Sequence, residues 1–347
     1  MSGISGAQGE RADGARREAG IDPVCHTLVG AALARSGLGG RTALGTATLL
    51  IGANLPDIDI VALLDGPAAS LAFRRGWTHG IPALAVLPFL LTGGMVLFDR
   101  LARRGANAAL LSAVVPRELL LLAAVSITSH PLLDTLNTYG VRWLMPLRGD
   151  WFYGDTLFIV DPWLWLVLGV GVLASRPARG ASQRARRVTR PARIALAVSV
   201  LYVVGMGLSG LAAREIARRE LNAMGGPPVE RLMVAPRPLT PFARHVVAQQ
   251  GDSYRVGSFR WLRRPHVEPE SLQTVPRPRL DDPALLAARA ELLGRRFLGW
   301  ARFPIVQVEP SATESTLVHL IDLRYADRDF GSVTVPVLIP PRASAPH

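Results

Sequence analysis

Ser129-His130-Pro131-Leu132-Leu133-Asp134-Thr135-Leu136-Asn137-Thr138-Tyr139-Gly140 places ligand-type side chains inside an otherwise apolar run. Charges in apolar surroundings are disfavoured unless they pair, shift their pKa or bind a metal. Proline is tolerated at a first helical position. A helical turn starting at Pro131 would therefore set His130 at its mouth, with Asp134 and Asn137 one and two turns on along one face. Such a polar stripe needs a partner, and the candidate is a metal ion.

Outward from this stretch the chain is a sequence of apolar runs. Ile81 to Phe98 is uncharged and long enough to cross a bilayer core, and it is closed by Asp99-Arg100-Leu101-Ala102-Arg103-Arg104. A second run leads from Leu119 into the opening stretch, a third from Thr156 to Ser175 is broken only by Asp161, and Ile194 to Ala213 is uncharged again. Upstream, a helix over His26 to Leu38, the turn Gly39-Gly40-Arg41 and the run from Thr42 to Pro56 suggest a helical hairpin. Each of its arms is shorter than the ~20 residues of a comfortable span. Mean hydropathy is +0.24 with 49% hydrophobic residues, which fits a mixed chain with a membrane part and a polar part.

The net charge of +12 is carried entirely by Arg, with no Lys. These residues flank apolar segments and lack the interleaved aromatic platforms of a single-strand binder, so the expected partner is the lipid bilayer and no nucleic acid is expected. Cys25 is the single cysteine, so the chain has no internal disulfide. The positive-inside rule makes the Arg-rich connections at 99–117 and 176–193 cytoplasmic. His26, Asp57, Asp59, His79, His130 and Asp134 then all fall toward the outer face. Residues 1–21 lack the apolar core of a signal peptide and are expected to be a disordered extension, the first apolar pattern beginning at Asp22-Pro23-Val24-Cys25-His26. An N-terminal peptide from native protein tests whether that extension is present.

After Ala213 the sequence turns polar and Pro-rich. Residues 214–347 are expected to form a soluble extracytoplasmic α+β domain, with a helix over 283–297 signalled by Asp281-Asp282-Pro283 and strands at Ile305–Val308, Thr316–Leu323 and Ser332–Ile339. The fold expected overall is mainly α, a polytopic transmembrane helical bundle over residues 22–213 followed by that domain.

Six nitrogen and oxygen donors suffice for one or two divalent ions, with zinc the expected metal and a position left open for water. Each donor has an ordinary alternative. His130 and Asp134 suit a structural hydrogen bond. Asp57 and Asp59 suit a helix cap after Pro56. His79, beside Trp77, suits an interfacial belt. His26 is the weakest of the set, and Cys25 reads as a packing residue. Arg74 and Arg75 suit interfacial charges or a hold on a phosphate oxygen. Asp155 and Asn137 are the candidates for orienting water or ligands in catalysis.

Asp22-Pro23-x-x-His26-Thr27, Asn54-Leu55-Pro56-Asp57-Ile58-Asp59, Arg75-Gly76-Trp77-Thr78-His79, His130-Pro131-Leu132-Leu133-Asp134 with Asn137-Thr138-Tyr139-Gly140, and Asp155 near Asp161-Pro162-Trp163 appear in that order. This ordered set, over residues 22–175, resembles the YdjM/YbcI family of membrane-bound metal-dependent hydrolases. The resemblance implies an inner-membrane protein with a metal site at these His and Asp positions. More distantly, the order His, Asp, His, HxxxD is similar to that of zinc-dependent phospholipase C and related single-strand nucleases, which implies phosphoester hydrolysis with a small-molecule or lipid substrate. Those enzymes use further ligands after the HxxxD pair, whereas here the next histidine is His245. The rival reading is a non-catalytic membrane protein, a metal-ion carrier or a scaffold, using the same His/Asp cluster.

Overall fold

A computed structural model describes residues 22–103, 113–175, 189–310, 316–326 and 331–337. The extension at 1–21, much of both Arg-rich connections and the last residues of the expected final strand lie outside the described residues.

The first half is helical. Helix α1 (Asp22–Arg35) is followed by a 3-10 turn, α2 (Gly45–Gly52), a 3-10 helix (Leu55–Asp65) and α3 (Pro67–Phe73). Then come α4 (Ile81–Arg103), α5 (Pro116–Thr135), α6 (Pro162–Ala174) and α7 (Arg190–Ala223). Among the described residues, α4 and α7 are the two helices long and apolar enough to cross a membrane, or three spans if α2 and the bent 3-10 helix count as one. The run 156–175 yields only the 13-residue α6, because Asp161 caps its first turn by accepting from the Trp163 and Leu164 N–H groups at 3.1 Å. The apolar faces of α4 and α7 point outward, with Phe89, Leu90, Phe98, Leu201, Leu208 and Leu211 all exposed. A lipid-facing belt has this composition.

The short helices pack closely through small residues. At Gly30 of α1 a Cβ would lie 2.8 Å from the Leu49 carbonyl of α2, so the two backbones touch there. The helix carrying the opening stretch differs from expectation. Pro131 lies inside α5, fifteen residues beyond its first, and does not begin a turn. The Ile127 carbonyl thereby loses its usual i+4 donor. Leu119, Leu122, Ala123 and Ile127 anchor α5 in the core, and that anchoring carries the helix through the proline.

Helix α7 runs unbroken past Ala213, where the polar sequence begins, to Ala223. Its Ala213, Ala217 and Leu221 are fully buried and pack with Val234, Val246, Ala248 and Phe259 of an antiparallel sheet. That sheet is β1 (Arg231–Arg237), β2 (Thr240–Gln250), β3 (Ser253–Arg260) and β4 (Gln273–Pro276), in sequence order. A second antiparallel sheet holds β5 (Pro304–Pro310), β6 (Thr316–Asp322) and β7 (Ser332–Val337), close to the three expected strands. The helix expected over 283–297 is two, α8 (Pro283–Ala290) and α9 (Leu292–Trp300), broken at Glu291, which adopts extended backbone.

The second sheet and its helices form one core with the loop that follows α5, since Tyr139, Trp151 and Ile159 pack against Phe297, Trp300 and Tyr325. Trp300 Nε1 donates to the Tyr139 carbonyl at 3.1 Å, Arg324 Nη1 to the Thr138 carbonyl at 2.7 Å, and Arg302 Nη1 to both Asp155 oxygens at 2.8 and 2.9 Å. The Tyr325 hydroxyl lies 2.8 Å from that of Thr138, and burial pushes its pKa above the ordinary phenol range. The C-terminal domain thus seats on the loop leaving the opening stretch.

Candidate metal centre

Three segments bring the four donors together. The 3-10 helix supplies Asp57, the turn before α4 supplies His79, and His130 and Asp134 stand one turn apart on α5. One ligand atom from each of Asp57, His79, His130 and Asp134 lies within 4.8 Å of every other, and together they can hold a metal ion. His130 Nε2 is 3.4 Å from Asp57 Oδ1 and 3.4 Å from Asp134 Oδ2. His79 Nε2 is 3.3 Å from Asp134 Oδ2 and 3.8 Å from Asp57 Oδ1. Tetrahedral coordination with bonds of ~2.0–2.1 Å gives ligand–ligand edges of roughly 3.3–3.4 Å, so the spacing suits a small divalent ion.

Hydrogen bonding fixes both imidazoles in the ligating tautomer. His130 Nδ1 faces the Ala53 carbonyl at 2.7 Å, and a carbonyl only accepts, so the proton sits on Nδ1 and Nε2 presents its lone pair. At His79, Nδ1 lies 3.0 Å from Thr78 Oγ1 and 3.3 Å from Asp59 Oδ2. The Thr78 hydroxyl donates to Asp59 at 3.0 Å, so the histidine Nδ1–H is again the donor. Three of the four ligand atoms, His79 Nε2, His130 Nε2 and Asp134 Oδ2, are buried without a hydrogen-bond partner. Each such orphan costs about 1–3 kcal/mol unless something satisfies it. A cation shared by all three does so at once.

Asp59 stands behind this group. Its Oδ2 accepts from the Arg75 N–H at 2.8 Å and from Thr78, and it faces the rear nitrogen of His79. The 3-10 geometry explains the split from Asp57. At three residues per turn, positions two apart point in directions ~120° apart around the axis, so the two carboxylates cannot share a face.

His26 also lies outside the four-atom group. Its ring stacks on His130 with centroids 3.6 Å apart, its Nε2 is 3.4 Å from Asp134 Oδ1, and its Nδ1 is buried without a hydrogen-bond partner. With Cys25, Asp134, Asn137, Phe158 and Asp161 it lines a small cleft.

Arg75 is the residue whose role the sequence left open. It is buried, with Nη2 3.0 Å from Asp134 Oδ1 and Nη1 donating to Asn137 Oδ1 at 3.1 Å, and its guanidinium lies 4.8 Å from the Tyr139 ring centre. Its φ of 51° is in the left-handed region, a strained conformation for Arg that surrounding contacts must hold. Gly76 follows, where a Cβ would come 2.8 Å from the Arg142 guanidinium. Arg142 itself bonds the Ala72 and Arg74 carbonyls at 2.9 and 2.8 Å. Arg74 reaches Asp59 Oδ1 only at 4.0 Å.

Of the two residues expected to act in catalysis, Asn137 holds Arg75 and also accepts from the Tyr139 N–H at 2.9 Å. Asp155, at φ 49°, gives its carboxylate to Arg302 and is not one of the four donors. Both belong to the frame around the centre.

The family model described as YdjM inner membrane protein matches residues 21–213, which contain all four donors and the residues that orient them. No curated protein and no solved structure is matched by the chain.

Proposed function

Because the chain belongs to the YdjM inner membrane protein family, we propose that it is a membrane-bound metal-dependent hydrolase with one divalent ion, zinc, held by Asp57, His79, His130 and Asp134. The observation that carries this is the convergence of four donors within 4.8 Å, three of them buried ligand atoms with no other partner. When bound, the ion lowers the pKa of a water and polarises an oxygen of the scissile group.

The protein's own residues do the rest. Asp57, whose side chain is 15% exposed against 0–3% for the other three, marks the open side. Arg75 balances the charge of Asp134 and holds its Oδ1, leaving Oδ2 to face His79 and His130. His26 offers the Nδ1 lone pair at the cleft as a proton acceptor. Leu133, Leu157, Phe158, Ile159 and Leu164 make the rest of that cleft, which reaches the group at Asp134, apolar, and the substrate we propose is a lipid-like phosphoester presented at the outer face of the inner membrane.

The test is hydrolysis of bis(p-nitrophenyl) phosphate by protein in detergent. Turnover is expected to disappear on chelation and return with zinc, and to fall by at least 100-fold in His130→Ala. Zinc uptake into proteoliposomes without hydrolysis would replace the enzyme reading with the carrier one.

A further inference from the structure

The depth at which the C-terminal domain meets α7 is set by side chains on both partners. Helix α7 is uncharged from Ile194 to Ala213, about 30 Å at ~1.5 Å per residue, the thickness of a bilayer's hydrocarbon core. In the sheet packed on it, strand β2 runs in the same direction. Arg244 Nη2 bonds the Met206 carbonyl and Ser209 Oγ, both at 3.1 Å, Val246 and Ala248 pack with Ala213, Ala217 and Leu221, and Gln250 reaches Pro227 beyond the end of the helix. The start of β2 therefore lies below the end of the apolar stretch, by about 10 Å at Met206.

The β1–β2 turn and Phe242 precede Arg244 and lie deeper still. Trp163, at the first turn of α6, donates its Nε1–H to the Leu239 carbonyl at 3.2 Å. The loop at 261–264 is held at the same level, since Trp261 bonds Ser209 Oγ at 3.0 Å and the Phe242 carbonyl at 2.9 Å. At this level the domain presents Leu239 (71% exposed), Phe242 (54%) and Leu262 (80%), at the height of the exposed Leu208 and Leu211 of α7. Arg263 and Arg264 follow Leu262 and are exposed, Arg263 with its Nη1 bonded to Glu268 at 3.0 Å.

We propose that the C-terminal domain is inserted, by its β1–β2 turn and the 261–264 loop, into the lipid leaflet at the C-terminal end of α7. Leu239, Phe242 and Leu262 enter the acyl region, and Arg264 extends back to lipid phosphates. The occupant of the patch is lipid because the patch lies at the depth of the exposed apolar side chains Leu208 and Leu211 of α7. The inference rests on α7 spanning the membrane and is independent of any catalytic activity.

The test uses the full chain with Cys25→Ala, reconstituted in phosphatidylethanolamine–phosphatidylglycerol vesicles and carrying one nitroxide at Leu239→Cys, Leu262→Cys or Asp252→Cys. Asp252 follows β2 at its far end, about 35 Å from Leu239 along the strand. Labels at 239 and 262 are expected to collide with oxygen at least 3-fold more, relative to a water-soluble nickel chelate, than the label at 252. Equal ratios at all three positions would overturn the proposal by placing the loops in water. Shielding of 239 and 262 from both reagents would overturn it in favour of a protein partner. Leu239 and Leu262 are both exposed side chains, and each label checks the other.

Discussion

His79 and His130 each turn one nitrogen toward a protein acceptor and leave the other bare, so each residue behind them is as much part of the centre as a ligand. Asp59→Asn keeps an oxygen for the Arg75 N–H and the Thr78 hydroxyl but removes the charge behind His79. It is expected to weaken metal affinity by 10–100-fold with the fold intact, measured by competition with a chromophoric chelator. Arg75→Lys cannot reproduce the fork between Asp134 and Asn137. Loss of one partner from a buried pair costs about 3–5 kcal/mol, so a marked fall in thermal midpoint in detergent is expected. The HxxxD pair was legible because a helix places residues four apart on one face. The different duties of Asp57 and Asp59 were not, because they depend on a 3-10 rather than an extended or α-helical path after Pro56.

At the scale of elements, α7 and the loop after α5 tie the two halves of the chain together. The stripe Ala213, Ala217, Leu221 has the four-residue spacing of a buried helix face and was present in the sequence, but Arg214, Glu215, Arg218, Arg219 and Glu220 between them read as the start of a polar domain. The first sheet was missed with it, since its apolar positions acquire a core only when that helix is extended. The second sheet was legible from alternation alone. Arg324 is the element-level anchor, bonded to Asp322, to the Thr138 and Trp300 carbonyls, and stacked 4.5 Å from the Trp300 ring centre. Arg324→Ala leaves Asp322 buried without its cation and is expected to destabilise by about 3–5 kcal/mol, read from denaturant unfolding followed by tryptophan fluorescence.

Over the whole molecule, the C-terminal domain reaches the candidate metal centre through residues 138–155, since Arg324 and Trp300 bond the Thr138 and Tyr139 carbonyls and Tyr139 lies against Arg75. Asp155 and Arg302 close that contact, their side chains 13% and 12% exposed. Arg302→Met is expected to raise hydrogen exchange across 138–155 while leaving the spans protected, as measured by mass spectrometry. Membrane character could be read from uncharged runs and Arg placement, whereas the seating of the domain on residues 138–155 depends on long-range contacts that no local pattern encodes. The central claim is that Asp57, His79, His130 and Asp134 bind one ion, and elemental analysis of detergent-purified protein after zinc loading and dialysis tests it most directly. About one zinc per chain is predicted for the native sequence and close to none for a folded His79→Ala/His130→Ala variant; a native chain without metal, or equal content in both, would contradict it.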